Sequence, residues 1–208
     1  MKVFFILGSL ALCGCDAPVS TGRTTDAPAI SIPAEPSSQD PSATQAPVVL
    51  GRYFFDFDAV DLYHTDLGED GVFDSTGHIP PSKQMLADVL IGSWPKDLTD
   101  ISALRSMERI GYEQVKIPKE RLHALAELFR EKTIGGGYSK ACIAEYRDVL
   151  IFRNKGKIIG VAKICFGCLQ NMIVGTTANT EFFGEDGDYQ RLYEILAPFR
   201  SRQSAQRA

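Results

Sequence analysis

The chain has 208 residues, of which 26 are acidic and 22 are basic, so its formal net charge is −4. This balance argues against a nucleic-acid ligand, because contact with phosphates demands a basic face. The length leaves room for one folded domain of about 160 residues once the N-terminal segments described next are set aside.

The first fifteen residues are typical of a bacterial export signal. Lys2 supplies one positive charge, and the apolar run behind it is shorter than the roughly 20 residues of a membrane-spanning helix. The run ends in Leu12-Cys13-Gly14-Cys15, which resembles the lipobox of bacterial lipoproteins. The resemblance implies removal of residues 1–14, diacylglycerol on the sulfur of Cys15, and acylation of its new amino group. The alternative is an ordinary secretory signal with incidental cysteines.

A lipidated Cys15 would hold the mature protein at a membrane, because two or more acyl chains anchor stably where one does not. We therefore expect a bacterial cell-envelope location, with the domain facing the periplasm or the exterior, and no cofactor besides the covalent lipid. Residues 15–48 are rich in Pro, Ala, Ser and Thr and contain no aromatic side chain, which predicts a disordered tether. A single domain is expected over residues 49–200, followed by a disordered tail over 201–208.

The first half of the domain gives mixed signals. Residues 52–60 alternate apolar and polar side chains, which predicts a half-buried strand. The Gly-, Asp- and Pro-rich stretch over 64–81 predicts a long exposed loop. Residues 85–91 are compact and apolar, and they fit either a strand or a short helix. A further strand is expected over 112–117.

Two amphipathic helices are predicted. Pro118 suits a first helical position, and an apolar stripe of about four turns follows it before three glycines at 135–137 end the pattern. The second helix is expected to begin near Asp186 or Asp188, since acidic residues suit a helix N-terminus. Pro198 is expected to fray or end it.

Residues 142–175 form the most distinctive stretch, because they contain three of the five cysteines. Two β-rich runs, over 143–153 and 157–166, flank Asn154-Lys155-Gly156, in which Asn and Gly tolerate the positive φ that a short reversal of the chain needs. The pattern predicts a hairpin, with a further strand over 170–176. Strands clustered together with helices at the edges indicate an α+β domain. We expect a mostly antiparallel sheet with a central cysteine-containing hairpin and two amphipathic helices packed on it.

The hairpin register decides which cysteines meet. A three-residue loop places Cys142 opposite Cys168 on one apolar face, and it leaves Lys163 and Cys165 on the other, solvated face. A two-residue turn at Lys155-Gly156 would slip the register by one and set Lys163 among apolar residues. The three-residue loop is therefore the preferred prediction.

This register predicts a Cys142–Cys168 disulfide, because opposed residues on one face lie near enough to bond after modest adjustment. Export would place the pair where disulfides persist, and Cys165 would remain a free thiol. Two alternatives stay open. Cys-Phe-Gly-Cys has the spacing of a redox pair. A metal could instead be bound by all three cysteines together with one histidine from this set: His64, His78, His123.

The order of a cysteine, an aliphatic strand, a Gly-containing turn and Ile164-Cys165-Phe166-Gly167-Cys168 resembles small uncharacterised bacterial lipoproteins and hypothetical proteins. The resemblance covers residues 142 to 196, and that family carries no known activity. The domain contains no Gly-x-Ser-x-Gly, His-Glu-x-x-His or Walker motif, so no catalytic residue is predicted. The expected function is a membrane-anchored, non-enzymatic binding or structural domain with an envelope protein as partner. The alternative is a periplasmic metal-binding or thiol-redox protein.

Overall fold

The computed structural model describes residues 49–133 and 142–204. The predicted signal, Cys15 and the tether lie outside these residues, as does the end of the predicted tail. The elements in chain order are β1 (Val49–Tyr53), β2 (Ala59–His64), α1 (Gln84–Leu90), β3 (Glu113–Lys116), α2 (Lys119–Leu128), β4 (Arg130–Thr133), β5 (Asp148–Asn154), β6 (Lys157–Cys165), β7 (Gln170–Val174) and α3 (Asp188–Ser204). Short 3₁₀ helices span Glu69–Gly71, Pro81–Lys83 and Ser102–Ser106.

An antiparallel sheet of five strands, in the order β3-β2-β5-β6-β7, forms the centre of the fold. β1 and β4 pair separately as a two-stranded antiparallel sheet. The predicted α+β class with a mostly antiparallel sheet is therefore confirmed.

Both faces of the five-stranded sheet are covered, which explains why β5 reads as a continuous apolar run instead of an alternating one. On the first face, β5 and β6 pack through Leu150 and Ile164 against the two amphipathic helices α2 and α3. Those helices contribute Leu125, Leu128, Leu192, Leu196 and Phe199. The second face packs through Val149, Ile151 and Val161 against α1 and the segment behind it, which contribute Val89, Leu90, Trp94, Met107 and Tyr112.

The single strand expected over 52–60 is wrong. β1 ends at Tyr53, β2 begins at Ala59, and the two strands belong to different sheets. Phe54 and Phe55 are consecutive and both are buried, which a half-buried strand does not allow. The chain leaves the strand conformation here because burying both Phe54 and Phe55 is more favourable than continuing the strand. Phe55 stacks on Phe152 at a centroid distance of 4.5 Å.

The apolar run over 85–91, which fits a strand or a short helix by its sequence, forms the helix α1. The two predicted amphipathic helices depart from the sequence pattern at their C-terminal ends. α2 ends at Leu128, where β4 follows almost at once. The three glycines therefore do not end α2. α3 continues through Pro198 to Ser204, although a proline inside a helix removes one backbone hydrogen bond. Leu196 and Phe199 are buried on either side of that proline, so tertiary packing holds the helix together there.

The predicted hairpin register is wrong. The turn has two central residues, Lys155 and Gly156, with φ values of 48° and 79°. Asn154 pairs with Lys157, and a bulge next to Phe152 then shifts the register by one more residue, so that Phe152 faces Gly160. The slip and the bulge together restore the original alternation of faces. The face expected to be solvated is buried instead.

Gly160 explains why the bulge is tolerated. A Cβ atom built on Gly160 would overlap the ring of Phe55. Only glycine therefore allows the Phe55 ring to lie against this part of β6 and to stack on Phe152. The packing of one aromatic side chain thus helps to set the register of the hairpin.

Candidate functional site

Two of the three domain cysteines lie at the tight turn that joins β6 to β7. The turn comprises residues 166–169, and Leu169 has a positive φ of 51°. The backbone N–H of Cys168 donates a hydrogen bond to Sγ of Cys165 at 3.2 Å. Cys165 is 4% exposed, so its predicted position on a solvated face is wrong. The Cys-Phe-Gly-Cys pair sits between two strands and lacks the helix that follows a thioredoxin-like motif.

The third cysteine, Cys142, reaches the same turn from a separate segment. Nε2 of Gln170 donates to the carbonyl oxygen of Cys142 at 2.9 Å, and Sγ of Cys168 donates to the carbonyl oxygen of Ile143 at 3.2 Å. Cys142 is exposed and precedes β5, which begins only at Asp148. Cys142 and Cys168 are therefore neighbours through these local contacts and not through the predicted strand pairing.

All three thiols are free in the structure. The pKa of Cys168 is raised to about 12, first by its hydrogen bond with the Cys142 thiol, then by burial, and then by its hydrogen bond with Cys165. Cys168 therefore interacts with both of the other thiols. The Cys142–Cys168 disulfide stays a prediction.

The histidines that could have completed a metal site lie elsewhere. The ring nitrogens of His64 are 2.9 Å from Oδ1 of Asp148 and 3.2 Å from Oδ1 of Asp66. Nδ1 of His78 is 2.9 Å from the hydroxyl of Thr76. Within residues 49–133 and 142–204, no group of three or more His, Cys, Asp or Glu side chains is arranged to hold a metal ion.

An open cleft of about 860 Å³ lies between the β6–β7 turn and the start of α3. One wall is formed by Phe166 and Leu169, and the other by Tyr189 and Tyr193. Leu169 is 46% exposed and Tyr193 is 44% exposed, so both walls present apolar surface to solvent. This pocket is called the turn–helix cleft below.

The rim of the turn–helix cleft is acidic. Glu185 and Asp186 line it on the side of α3, together with Gln190. Oδ2 of Asp186 is 3.6 Å from Nη2 of Arg191, and both side chains are about half exposed. Three glycines, at 167, 184 and 187, also line the cleft, so backbone groups lie close to whatever occupies it.

A buried polar cluster supports the cleft from behind. The guanidinium carbon of Arg200 lies 5.3 Å from the ring centroid of Phe166 and 5.0 Å from that of Tyr193. Nε of Arg200 is 3.1 Å from Oδ1 of Asp148, which is 1% exposed and also bonded to His64. The two aromatic rings are therefore tied through one arginine to the centre of the sheet. One signal for this cluster is present in the sequence, since Asp148 is the only charged residue on the otherwise apolar face of the predicted hairpin.

Lys163 is a second polar side chain whose predicted position, on a solvated face of the hairpin, is wrong. It is fully buried, opposite Val149, and its Nζ donates to the carbonyl oxygens of Gly92 at 2.8 Å and Trp94 at 2.7 Å. Nζ also lies 4.4 Å from the centroid of the Tyr146 ring. Burial lowers the pKa of Lys163 to about 7, and the charge of Asp88 opposes that shift.

Comparison with known proteins gives no match: no protein-family model, curated protein or solved structure is similar to the chain. Within the described residues, no helix combines the length and the apolar character needed to cross a membrane.

Proposed function

We propose that this chain is a bacterial envelope lipoprotein, anchored through Cys15, whose folded domain binds a partner protein without chemical turnover. The observation that carries the binding function is the turn–helix cleft, an open concave surface with apolar walls and an acidic rim. Pockets with apolar walls and a few placed polar groups are the usual ligand sites of proteins.

The cleft offers surface for binding and little for catalysis. Its walls are aromatic and aliphatic, and the residues that line it include no serine, cysteine, histidine or lysine. Aromatic side chains are enriched at the centres of protein interfaces, where they supply much of the binding energy. A binding role therefore fits the lining residues better than covalent catalysis does.

The acidic rim specifies the kind of partner. Glu185 and Asp186 would attract a cationic group, while Phe166, Leu169 and Tyr193 would contact an apolar one. The occupant that meets these requirements is a segment of an envelope protein in which an apolar side chain stands next to a lysine or arginine.

A selection of random peptides on the full chain tests this proposal. Enriched peptides should pair an aromatic or aliphatic residue with a basic one. Leu169→Asp should weaken their binding by about tenfold or more, because it places a charge in the apolar wall. Leu67→Asp is the matched control, since Leu67 is also an exposed leucine, at 38%, and does not line the cleft.

The charge of the rim gives a second readout. Glu185→Lys should turn the preference of the selected peptides from basic toward acidic residues, because it reverses a charge on the rim. Peptides that bind the Leu169→Asp and Glu185→Lys proteins as well as the unmodified chain would show that the cleft is not the binding site.

A second candidate function is thiol–disulfide chemistry. It is favoured by one observation, the meeting of Cys142, Cys165 and Cys168 at the β6–β7 turn. Cys168 lies in the turn that forms one wall of the cleft, and Cys165 directly precedes that turn.

A further inference from the structure

Cys168 stands between two thiols of opposite exposure. Cys142 is exposed, Cys165 is buried, and Cys168 is intermediate. Cys168 contacts the segment of Cys142 through its sulfur, which donates to the carbonyl oxygen of Ile143, and it contacts Cys165 through its backbone N–H. One cysteine is thus in reach of two others, on opposite sides of a single turn.

We propose that Cys168 is the shared partner of two alternative disulfides, Cys142–Cys168 and Cys165–Cys168, which interconvert by thiol–disulfide exchange. The inference rests on the second candidate function above and not on the cleft. It revises the prediction of a single Cys142–Cys168 disulfide with Cys165 as a permanently free thiol.

Formation of the first bond needs an oxidant, and a small-molecule disulfide such as oxidised glutathione supplies it. The exposed Cys142 thiolate attacks that disulfide, forms a mixed disulfide and releases one glutathione thiolate. Cys168 then attacks the sulfur of Cys142, gives its proton to water, and releases the second glutathione. Two cysteine thiols are oxidised to one disulfide, and one glutathione disulfide is reduced to two thiols.

The exchange step needs no further oxidant. The Cys165 thiolate attacks the Cys168 sulfur of the Cys142–Cys168 bond, and Cys142 leaves as a thiolate. One sulfur–sulfur bond forms and one breaks. The position of Cys168 next to both other cysteines makes its sulfur the one that is attacked in either direction of the exchange.

The two bonds would fix different parts of the molecule. A Cys142–Cys168 bond fastens the segment before β5 to the β6–β7 turn, whereas a Cys165–Cys168 bond closes the turn on itself and frees Cys142. Phe166 and Leu169 lie on the same turn and line the cleft. Exchange would therefore decide whether the segment that contains Cys142 is fastened beside the cleft or released from it.

Disulfide mapping of the full chain in buffers of reduced and oxidised glutathione tests the inference. After acid quenching and alkylation, peptides that contain Cys13 and Cys15 are scored separately from those of the domain. In the unmodified chain every domain disulfide should include Cys168. Cys142→Ser should form Cys165–Cys168, and Cys165→Ser should form Cys142–Cys168.

Cys168→Ser is the decisive variant. In this variant the equilibrium constant for forming Cys142–Cys165 from oxidised glutathione should be at least about tenfold lower than the constant for the bonds to Cys168 in the unmodified chain. A tenfold difference corresponds to about 30 mV in reduction potential. Equal formation of Cys142–Cys165, or a Cys142→Ser protein that does not bridge, would overturn the shared role of Cys168. If no version of the chain forms a domain disulfide, the thiol–disulfide function falls as well.

Folding must be checked because Cys165 is buried, and a buried cysteine packs as a small apolar side chain. Cys165→Ala is therefore mapped beside Cys165→Ser, and each reduced variant is compared with the unmodified chain by circular dichroism and thermal unfolding. If the well-folded Cys165→Ala protein formed no Cys142–Cys168 bond, that result would also contradict the inference.

Discussion

Lys163 shows at the scale of one residue how burial and charge oppose each other. Its Nζ is held between two backbone carbonyl oxygens and the Tyr146 ring, in a position with no exposed surface. A neutral amine still has two N–H donors, so the two hydrogen bonds survive loss of the charge. The pKa of Lys163, lowered to about 7 by burial, follows from this arrangement.

This lowered pKa predicts a pH-dependent stability. Below pH 7 the buried ammonium group costs free energy. Between about pH 7 and 10.5, the ordinary pKa of lysine, Lys163 is neutral in the folded chain and still protonated in the unfolded chain. Folding therefore releases a proton in this range, and its free-energy cost decreases as pH rises. Relative to Lys163→Met, the free energy of unfolding of the unmodified chain should rise by up to about 1.4 kcal/mol per pH unit between pH 7 and 9.

Urea denaturation of the two proteins at pH 6, 7, 8 and 9 measures this difference. Lys163→Met keeps an unbranched side chain, one atom shorter, and removes the titrating group, so the contributions of all other groups should cancel between the two proteins. A difference in unfolding free energy that stays constant over this range would mean that Lys163 titrates normally.

The hairpin shows at the scale of an element what the sequence can and cannot predict. Its existence and its β-rich runs followed from composition, since Asn154-Lys155-Gly156 favours a reversal between them. The register did not follow, because it depends on the bulge next to Phe152 and on the ring of Phe55, which lies about a hundred residues away in the chain. Alternation along one hairpin contains no information about such a distant side chain.

Gly160→Ala should therefore destabilise the fold by about 1–3 kcal/mol, because the added methyl group would overlap the Phe55 ring and disturb its stacking on Phe152. Chemical denaturation monitored by circular dichroism measures the change. Gly167→Ala is the control, since a Cβ there meets no heavy atom within 4 Å and should change stability by less than about 0.5 kcal/mol. Equal stabilities for the two variants would remove the proposed reason for the bulge.

The start of α3 was easier to predict than its surroundings. Asp188 was expected near the helix N-terminus, and α3 begins there. The structure adds the reason for its burial: Asp188 forms ion pairs with Lys132 of β4 and with Arg191 one turn later in α3. The strand β4 was not predicted, because its sequence, Arg-Glu-Lys-Thr, has no apolar pattern.

At the scale of the whole molecule, the fold class was predictable and the candidate site was only partly so. The α+β class followed from β-rich runs and apolar stripes, which are local signals. The turn–helix cleft joins residues near 167 to residues near 187, and the Arg200 side chain that supports it comes from the far end of α3. The three cysteines could be singled out from the sequence because of their spacing, but their meeting point depends on the irregular segment before β5.

The binding function proposed for the cleft belongs to a domain that we propose is tethered to a membrane. The tether and Cys15 lie outside the described residues, so the anchor remains a prediction from the lipobox-like Leu12-Cys13-Gly14-Cys15. Two or more acyl chains hold a protein on a membrane far more firmly than one does, so loss of lipidation should have a large effect on where the protein is found.

The claim that this domain acts while held on a membrane is tested most directly by comparing the unmodified chain with Cys15→Ser in bacterial cells fed labelled palmitate. The unmodified protein should carry the label and sediment with the membranes, whereas Cys15→Ser should lose the label and remain in the soluble fraction. Cys13→Ser is the control and should behave like the unmodified chain. A Cys15→Ser protein that stays labelled and membrane-bound would contradict the anchor and, with it, the proposed place of action.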